Sequence, residues 1–306
     1  MIDALMPEAL QSLATVTHSH MIKAALAADR LTRRFPDWDV ERWTQLIDHA
    51  EWQGRSTVAC LLHETVRASQ TYSVQQAERV IARRLFPLAY RAGRDWYDAE
   101  GLHAMIHHYA SRASNEPGYL GHGFSIWWSF VEAEQQITDE IQRLWLMERF
   151  VEMAAQSFPG FPPGHPDWIP PAWVAHGNVS LTSAWQVCLQ RPGWYGHHLL
   201  SLAGLSRAQA GLAPEHWQRA LETLVAKAQR QYLDPADNVL VLPDDIPEQP
   251  WSDDEWGGNL LAFSLAMRAN IHALTLADAL ATLWDEATSI QRCGLQGAMA
   301  RLLMAV

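Results

Sequence analysis

Helical periodicity along almost the whole chain is the feature that most constrains its fold. Apolar residues recur at i, i+3 and i+4, the spacing that places them on one face of an α-helix, as in Leu144, Met147, Val151 and Ala154. Only 238–243 resembles a short β-strand. The pattern predicts an all-α protein, a multi-helix bundle with helical segments over about 7–34, 39–53, 56–69, 74–92, 99–113, 122–157, 181–190, 196–209, 214–232, 257–285 and 288–304.

Two proline-rich stretches interrupt the helical pattern. Residues 158–172 contain six prolines and two glycines, and the acidic stretch 234–256 contains four further prolines. Proline removes a backbone donor and excludes a continuous helix. Loops of this length in a compact domain are more often lids or wrapping segments than domain linkers. We therefore expect one α-helical domain over 1–306, with a subdivision at 158–172 as the alternative.

Composition excludes several classes of partner. The net charge is −11, and the 23 basic residues are dispersed, so we expect no nucleic-acid partner. No apolar run reaches the roughly 18 residues of a membrane span, and the acidic N-terminus does not resemble a signal peptide. Three cysteines without a short pairing favour a reducing compartment. We expect a cytoplasmic protein without a membrane partner.

Histidine is the residue type that carries most of the candidate chemistry, with 14 copies. His103 and His107 stand four residues apart in a helical segment, so both rings can point at one spot. Helices offer two nitrogen ligands to one metal ion at this spacing. The alternative is a pair of core histidines hydrogen-bonded through water.

Two other histidine pairs leave their orientation open. His18 and His20 lie two residues apart on the first long helical segment, so they face different sides and only one can point inward. His197 and His198 begin an apolar helix, and at most one of them is expected to point inward. For each lone inward histidine the alternative is a helix residue that bonds a backbone carbonyl.

Three single histidines remain as candidates. His122 stands between two glycines, which allow a sharp turn or a close backbone approach. His176 follows the proline-rich stretch and precedes a helix, and His272 lies within an apolar helix. Each is either a site residue or an ordinary turn or core residue. The other histidines stand in polar or loop surroundings and are expected at the surface: His49, His63, His165 and His216.

Other catalytic motifs are missing from the sequence. There is no G-x-S-x-G nucleophile elbow, no P-loop, no G-x-G-x-x-G and no H-E-x-x-H. The chain contains 15 tryptophans, which suit either an aromatic binding site or a thick helical core. Imidazole and carboxylate groups would therefore have to build any metal site.

Three fragments, in order along the chain, resemble the questin oxidase-like family, α-helical proteins of fungal and bacterial secondary metabolism. They are Thr17-His-Ser-His-Met21, Leu102-His-Ala-Met-Ile-His-His-Tyr-Ala110 and Ile271-His-Ala-Leu-Thr-Leu-Ala-Asp-Ala-Leu280. His176, ahead of Val179 and Ser180, is similar to a further family histidine.

The resemblance implies a non-haem metal-dependent oxygenase that acts with O₂ on an aromatic polyketide-like small molecule. It also implies a metal, Fe(II), held by several histidines and, in some members, by a carboxylated lysine. Thr275 stands where the family has that lysine, so this ligand does not carry over. Water or an acidic residue would then replace it, or the site has lost its chemistry.

The resulting hypothesis places one Fe(II) between helices, with His107 and His272 as catalytic residues. The expected metal ligands are His18, His103, His107, His176 and His272. The expected substrate-binding residues are Trp127, Trp128, Trp173, Trp194, His122 and His198. Two alternatives stay open: a non-catalytic helical binding or interaction protein, and a metal-free enzyme that uses a histidine as general base.

Overall fold

The computed structural model describes residues 2–13, 20–38, 56–57, 61–67, 70–115, 123–158, 160, 179–229, 249–266 and 272–304. Within these residues the fold is a multi-helix one, so the predicted all-α class is confirmed. The helices are α1 (Ile2–Gln11), α2 (His20–Arg34), α3 (Val74–Ala82), α4 (Leu88–His108), α5 (Ala110–Asn115), α6 (Gly123–Gln136), α7 (Glu140–Ser157), α8 (Leu181–Gln190), α9 (His197–Ala208), α10 (Pro214–Gln229), α11 (Asp253–Ala266), α12 (Ala273–Glu286) and α13 (Ser289–Met304). Short 3₁₀ turns span Leu62–Thr65 and Trp194–Gly196.

Several predicted segments are divided in the structure. The segment 122–157 becomes α6 and α7, because Asp139 caps the second helix by accepting a hydrogen bond from the Gln142 amide at 2.9 Å. The segment 7–34 covers the end of α1 and all of α2, and the segment 257–285 spans parts of α11 and α12. The cap at Asp139, which periodicity does not report, sets the boundary between α6 and α7.

The prediction of an α-helix over 56–69 was wrong. Strand β2 (Ser56–Thr57) pairs antiparallel with β1 (Ser12–Leu13), and a 3₁₀ turn follows at Leu62–Thr65. Leu61 has a φ of 72°, a left-handed conformation that ends any continuous helix. The predicted segment 39–53 and the strand-like run 238–243 lie outside the described residues.

Helices from both sides of the proline-rich stretch pack together in one hydrophobic core. Helix α2 contacts α12, α6 contacts α9, and α5 contacts α10. Fully buried side chains from both parts of the chain, including Trp96, Trp127, Trp256 and Trp284, belong to the same apolar cluster. Most of the proline-rich stretch itself lies outside the described residues, so the predicted domain organisation stays a prediction.

Among the described helices, none is long and apolar enough to cross a membrane.

A kink in α4 sets the direction of its last turns. Gly101 has φ 83° and ψ 164°, values that lie outside the helical region and that glycine adopts without strain. The helix resumes at Leu102 and carries His103 and His107 on one face of its final two turns. This final segment therefore points away from the axis of the preceding part of α4.

Candidate functional site

Four helices surround a row of polar side chains that crosses the otherwise apolar core. Helix α2 contacts α6 and α12, and α9 contacts the same two helices, so the four form a closed ring. We call the row the polar seam. Its residues are His20, Lys23, Arg30, Ser125, Glu132, His197, Arg207, His272, Thr275 and Asp278. Bundles place ligand and metal sites in such positions between facing helices.

The helices of the polar seam run in the same direction. His20 of α2 meets His272 and, ten residues later, Arg30 meets Asp278 of α12. His197 of α9 also contacts His272. The histidines thus lie at one end of the seam and the charged groups at the other, about 15 Å away along α2 and about 9 Å away along α12 at a rise of 1.5 Å per residue.

Three histidines meet at the first end, and we refer to His20, His197 and His272 as the histidine cluster. The ring centroid of His272 lies 4.7 Å from that of His20 and 4.6 Å from that of His197, with ring planes tilted by 60° and 80°. His197 is 1% exposed and His272 is 4% exposed. Nδ1 of His20, Nε2 of His197 and Nδ1 of His272 are each shielded from solvent.

The backbone before α9 explains how His197 reaches this position. Gly196 caps α9 in the left-handed conformation, with a φ of 76°. A Cβ atom at Gly196 would lie 2.7 Å from Leu276 Cδ1, so only glycine lets the start of α9 approach α12 this closely. His272 precedes α12 as its N-cap, and its carbonyl accepts a 2.8 Å hydrogen bond from the Leu276 amide.

One turn further along α2, a buried lysine occupies the middle of the polar seam. Lys23 is 3% exposed, and its Nζ donates a 3.2 Å hydrogen bond to the Ser125 hydroxyl. Thr275 is also buried, and its hydroxyl donates to the carbonyl of His272 at 3.2 Å. Lys23 therefore lies between the histidine cluster and the charged end, on the helix that carries His20.

The charged end is an ionic cluster of Arg30, Glu132, Arg207 and Asp278. Arg30 donates to both oxygens of Asp278, with distances of 2.9 Å from Nε and 2.6 Å from Nη2, and to Glu132 at 3.0 Å from Nη1. Arg207 Nη1 lies 3.4 Å from Asp278. Burial raises the pKa of Asp278, but the charges of Arg30 and Arg207 outweigh it and hold this pKa below its usual value.

A cleft opens from the ionic cluster to solvent. It has a volume of about 440 Å³ and lies between α2 and α12, where Arg30, Arg34, Asp278 and Asp285 line it. Of the tryptophans predicted to bind substrate, Trp127 and Trp128 have described side chains, and neither is among the described residues that line this cleft.

The predicted pair His103 and His107 forms a second group, on α4. Their ring centroids lie 4.2 Å apart, His103 Nδ1 lies 3.4 Å from Glu134 Oε2, and the His107 ring packs against Trp127 at 6.1 Å. Burial, together with the neighbouring His103, lowers the pKa of His107. In the described part of the chain, ring contacts thus divide the predicted ligands into the His103–His107 pair and the group around His272.

The predicted tryptophan wall is part of the core where the structure describes it. Trp127 is fully buried, and its Nε1 donates to the Ile106 carbonyl at 2.9 Å. Trp128 is also buried, and its Nε1 donates to Glu132 at 3.1 Å. Both indoles therefore pack between helices. The side chain of Trp194 and the residues His18, His122, Trp173 and His176 lie outside what the structure describes.

The prediction that at most one of His197 and His198 points inward was wrong, because both are buried. His197 faces His272, whereas the His198 ring turns back so that Nδ1 lies 2.6 Å from the carbonyl of Arg191, the residue that ends α8. Burial lowers the pKa of His198 to about 4, although the Arg191 carbonyl opposes this shift. Helices on two sides enclose the first turn of α9.

His63 was also predicted wrongly as a surface residue. It is 3% exposed, and its Nδ1 lies 2.7 Å from Glu148 Oε1, which also accepts from the His63 amide at 2.9 Å. The other Glu148 oxygen accepts from the Leu61 amide at 3.1 Å. Glu148 therefore fixes the turn that replaces the expected helix.

Sequence reasoning missed Lys23, Arg30, Glu132, Arg207 and Asp278. A signal existed on α2, where polar residues recur at helical spacing on one face of an alanine- and leucine-rich helix. Helix α12 gives a similar signal, because the polar residues Thr275 and Asp278 lie among apolar residues, and all residues from Ala273 to Ala281 are buried. Polar residues on a face that is otherwise fully buried indicate partners on a facing helix.

The two histidine groups offer different donor sets for a metal. The histidine cluster has three imidazoles, and the α4 group has two imidazoles and the carboxylate of Glu134. As the side chains stand, no group of three or more His, Cys, Asp or Glu residues in the described ranges is arranged to hold a metal ion. Metal binding at either group therefore requires side chains to turn.

Comparison of the chain with protein-family models, curated proteins and solved structures found no match. The resemblance to the questin oxidase-like family therefore stays a prediction.

Proposed function

We propose that the protein is a non-haem metal-dependent oxygenase whose metal is held by His20, His197 and His272. The observation that carries the proposal is that the His272 ring contacts the rings of both His20 and His197, which come from two other helices, and that His197 and His272 are buried. The proposed substrate is an aromatic, polyketide-like small molecule of secondary metabolism, and O₂ is the second substrate. The free, buried thiols of Cys188 and Cys293 fit a reducing compartment such as the cytoplasm.

The spacing of the rings supports a shared metal ion. Imidazoles bound to one ion through nitrogens at 2.0–2.1 Å have ring centroids roughly 4.5–5.2 Å apart, for ligand angles between about 90° and 110°. The centroid distances of 4.6 and 4.7 Å fall within this interval. Rotation of the rings could then aim a nitrogen of His272 and a nitrogen of either neighbour at one point.

The donor set favours a first-row divalent metal, and we propose Fe(II). Neutral imidazoles suit such ions, and three protein ligands leave coordination positions for other groups. When bound, iron would supply the centre that activates O₂ for oxidation of the aromatic substrate.

The surrounding residues would hold the histidines and keep the site dry. The burial of His197 and His272 excludes water from two sides of the cluster. The hydrogen bond from Thr275 to the His272 carbonyl closes the first turn of α12, and the bond from Lys23 to Ser125 joins α2 to α6 beside the cluster. Lys23 also adds a buried positive charge one turn away, which would favour an anionic form of a phenolic substrate.

Oxygen consumption tests this function. Iron-loaded protein should consume O₂ when given a hydroxylated anthraquinone, and His272→Gln should abolish this uptake while circular dichroism reports a folded chain. The control is His216→Gln, on α10 and outside the cluster, which should keep the activity. Uptake that survives both a strong iron chelator and His272→Gln would overturn the proposal.

The alternative is a helical binding or interaction protein in which the histidines only pack. The ring tilts of 60° and 80° favour this alternative, since aromatic rings in protein cores prefer such edge-on arrangements. A third function, general-base catalysis without a metal, would show itself as substrate turnover that chelators leave unchanged. Oxygen uptake separates the oxygenase from both alternatives, because only the oxygenase needs iron and O₂, and substrate turnover without O₂ uptake separates the two alternatives from each other.

A further inference from the structure

His103 and His107 on α4 form a second group of histidines, separate from the histidine cluster. His103 and His107 lie on adjacent turns of the segment that follows the Gly101 kink, and both rings face α6. The side chain of His103 is 65% exposed and that of His107 is half-buried. The group is therefore open to solvent on one side.

Glu134 of α6 completes the group. His103 Nδ1 lies 3.4 Å from Glu134 Oε2, which is longer than the usual 2.7–3.2 Å of a hydrogen bond. Two ligand atoms held at 2.0–2.2 Å by one tetrahedral ion lie roughly 3.3–3.6 Å apart. The observed separation of 3.4 Å falls within this interval, so these two atoms could bind one ion without moving apart. Arg143 Nη2 holds the other carboxylate oxygen, Oε1, at 3.0 Å and so keeps Oε2 turned toward His103.

The third donor is His107. Its Nε2 is shielded from solvent and has no hydrogen-bond partner among the described residues, although buried polar atoms are normally bonded. The ring centroids of His103 and His107, now 4.2 Å apart, would need to separate by less than about 1 Å on binding.

We propose that His103, His107 and Glu134 form a divalent transition-metal site that is separate from the histidine cluster. Zn²⁺ fits it best, because two imidazoles, one carboxylate and a water are a common tetrahedral ligand set. The carboxylate offsets part of the ion's charge, whereas the histidine cluster offers three imidazoles and no carboxylate. Because the site faces solvent, it loads and releases metal without opening the core.

Zinc titration of the full-length protein by calorimetry tests this site. Wild type should bind one more equivalent of Zn²⁺ than the double variant His103→Ala/His107→Ala. Glu134→Gln, which keeps the shape of the side chain, should weaken binding of this equivalent at least tenfold. His108→Asn is the matched control, since His108 is adjacent on α4 but contacts Glu78 and Trp96 instead, and it should bind as wild type does.

The result that would overturn the proposal is an equal number of Zn²⁺ equivalents in wild type and in the double variant. Equal affinity of wild type and Glu134→Gln would also contradict it, because the carboxylate would then not be a ligand. The histidine variants change exposed or half-buried side chains, so the fold is retained and binding is measured on a folded chain. The experiment does not depend on the oxygenase function, since the histidine cluster is intact in every variant.

Discussion

His272 packs its ring against His20 from a helix more than 250 residues away in sequence, with the centroids 4.7 Å apart. Six residues after His272 and ten after His20, Asp278 and Arg30 join the same two helices through a 2.6 Å ion pair. Helices α2 and α12 are thus fastened at both ends of one shared polar face. Contacts at the charged end consequently help to determine the geometry at the histidine end.

Replacing Asp278 with asparagine should strongly destabilise the fold. The change leaves the half-buried Arg30 and Arg207 with one carboxylate between them, and because Asp278 itself is buried, breaking these ion pairs should cost about 3–5 kcal/mol. Urea unfolding followed by circular dichroism measures the loss. Asp285→Asn, at a half-exposed carboxylate of the same helix, should cost less than about 1 kcal/mol. Equal losses in the two variants would contradict a stabilising role for the ionic cluster.

His198 should make stability depend on pH in mildly acidic solution. Burial lowers its folded pKa from 6.5 to about 4, so between these values the unfolded chain binds a proton that the folded chain does not. This contribution is intact above pH 6.5 and declines as the pH falls toward 4, by roughly 1.4 kcal/mol per pH unit. Below pH 4 it is constant.

His198→Asn provides the comparison, because asparagine can still donate to the Arg191 carbonyl but does not titrate. Free energies of unfolding measured at several pH values between 4 and 7.5 should show a shallower slope for the variant than for wild type. If the free energies of unfolding of the two proteins change in parallel with pH, the lowered pKa of His198 does not cause the pH dependence.

Gly204 should be intolerant of a side chain. An added Cβ would lie 3.0 Å from Ser125 Cβ and 3.3 Å from its Cα, at the crossing of α9 and α6. Gly204→Ala should therefore cost about 1–3 kcal/mol through overpacking. Gly258→Ala, in α11 with no atom of the described residues within 4 Å of the new Cβ, should instead stabilise by about 0.5–1 kcal/mol through helix propensity. Thermal unfolding measures both changes. A shift of the melting temperature in the same direction for both variants would contradict the overpacking at Gly204.

Glu148→Gln should loosen the turn that contains His63. Both carboxylate oxygens accept hydrogen bonds, from Leu61 and from His63, whereas an amide must present its NH₂ group to one of these donors. We expect a loss of about 2–4 kcal/mol, since hydrogen bonds to buried charged groups contribute about 1.5–3 kcal/mol each. Hydrogen exchange should accelerate at the Leu61 and His63 amides. Glu64→Gln, at an exposed residue of the same turn, should leave both rates unchanged.

The helices could be predicted from sequence because their signal is local. Apolar spacing identifies α7 and α12 without knowledge of what they contact. The segment at 56–69 failed because its conformation depends on distant groups. Ser56 and Thr57 pair with β1, and the next turn is held by Glu148. Such tertiary constraints override helical periodicity, and nothing within the segment itself reports them.

The candidate site was only partly predictable for the same reason. The spacing of His103 and His107 is visible in the sequence because both lie on one helix. The histidine cluster instead joins three distant positions, so the sequence marked His272 as unusual but left the choice between His18 and His20 open. The pairing of Arg30 with Asp278 is equally non-local, and only the polar spacing along each helix indicated it.

Iron content after gel filtration tests the central claim most directly. We predict that wild type and His103→Ala/His107→Ala each retain about one iron per chain, because a buried site between helices releases its metal slowly. His197→Gln and His272→Gln should retain none while remaining folded by circular dichroism. Iron retained by these two variants but lost from His103→Ala/His107→Ala would contradict the account, since the metal would then lie on α4 and not within the histidine cluster.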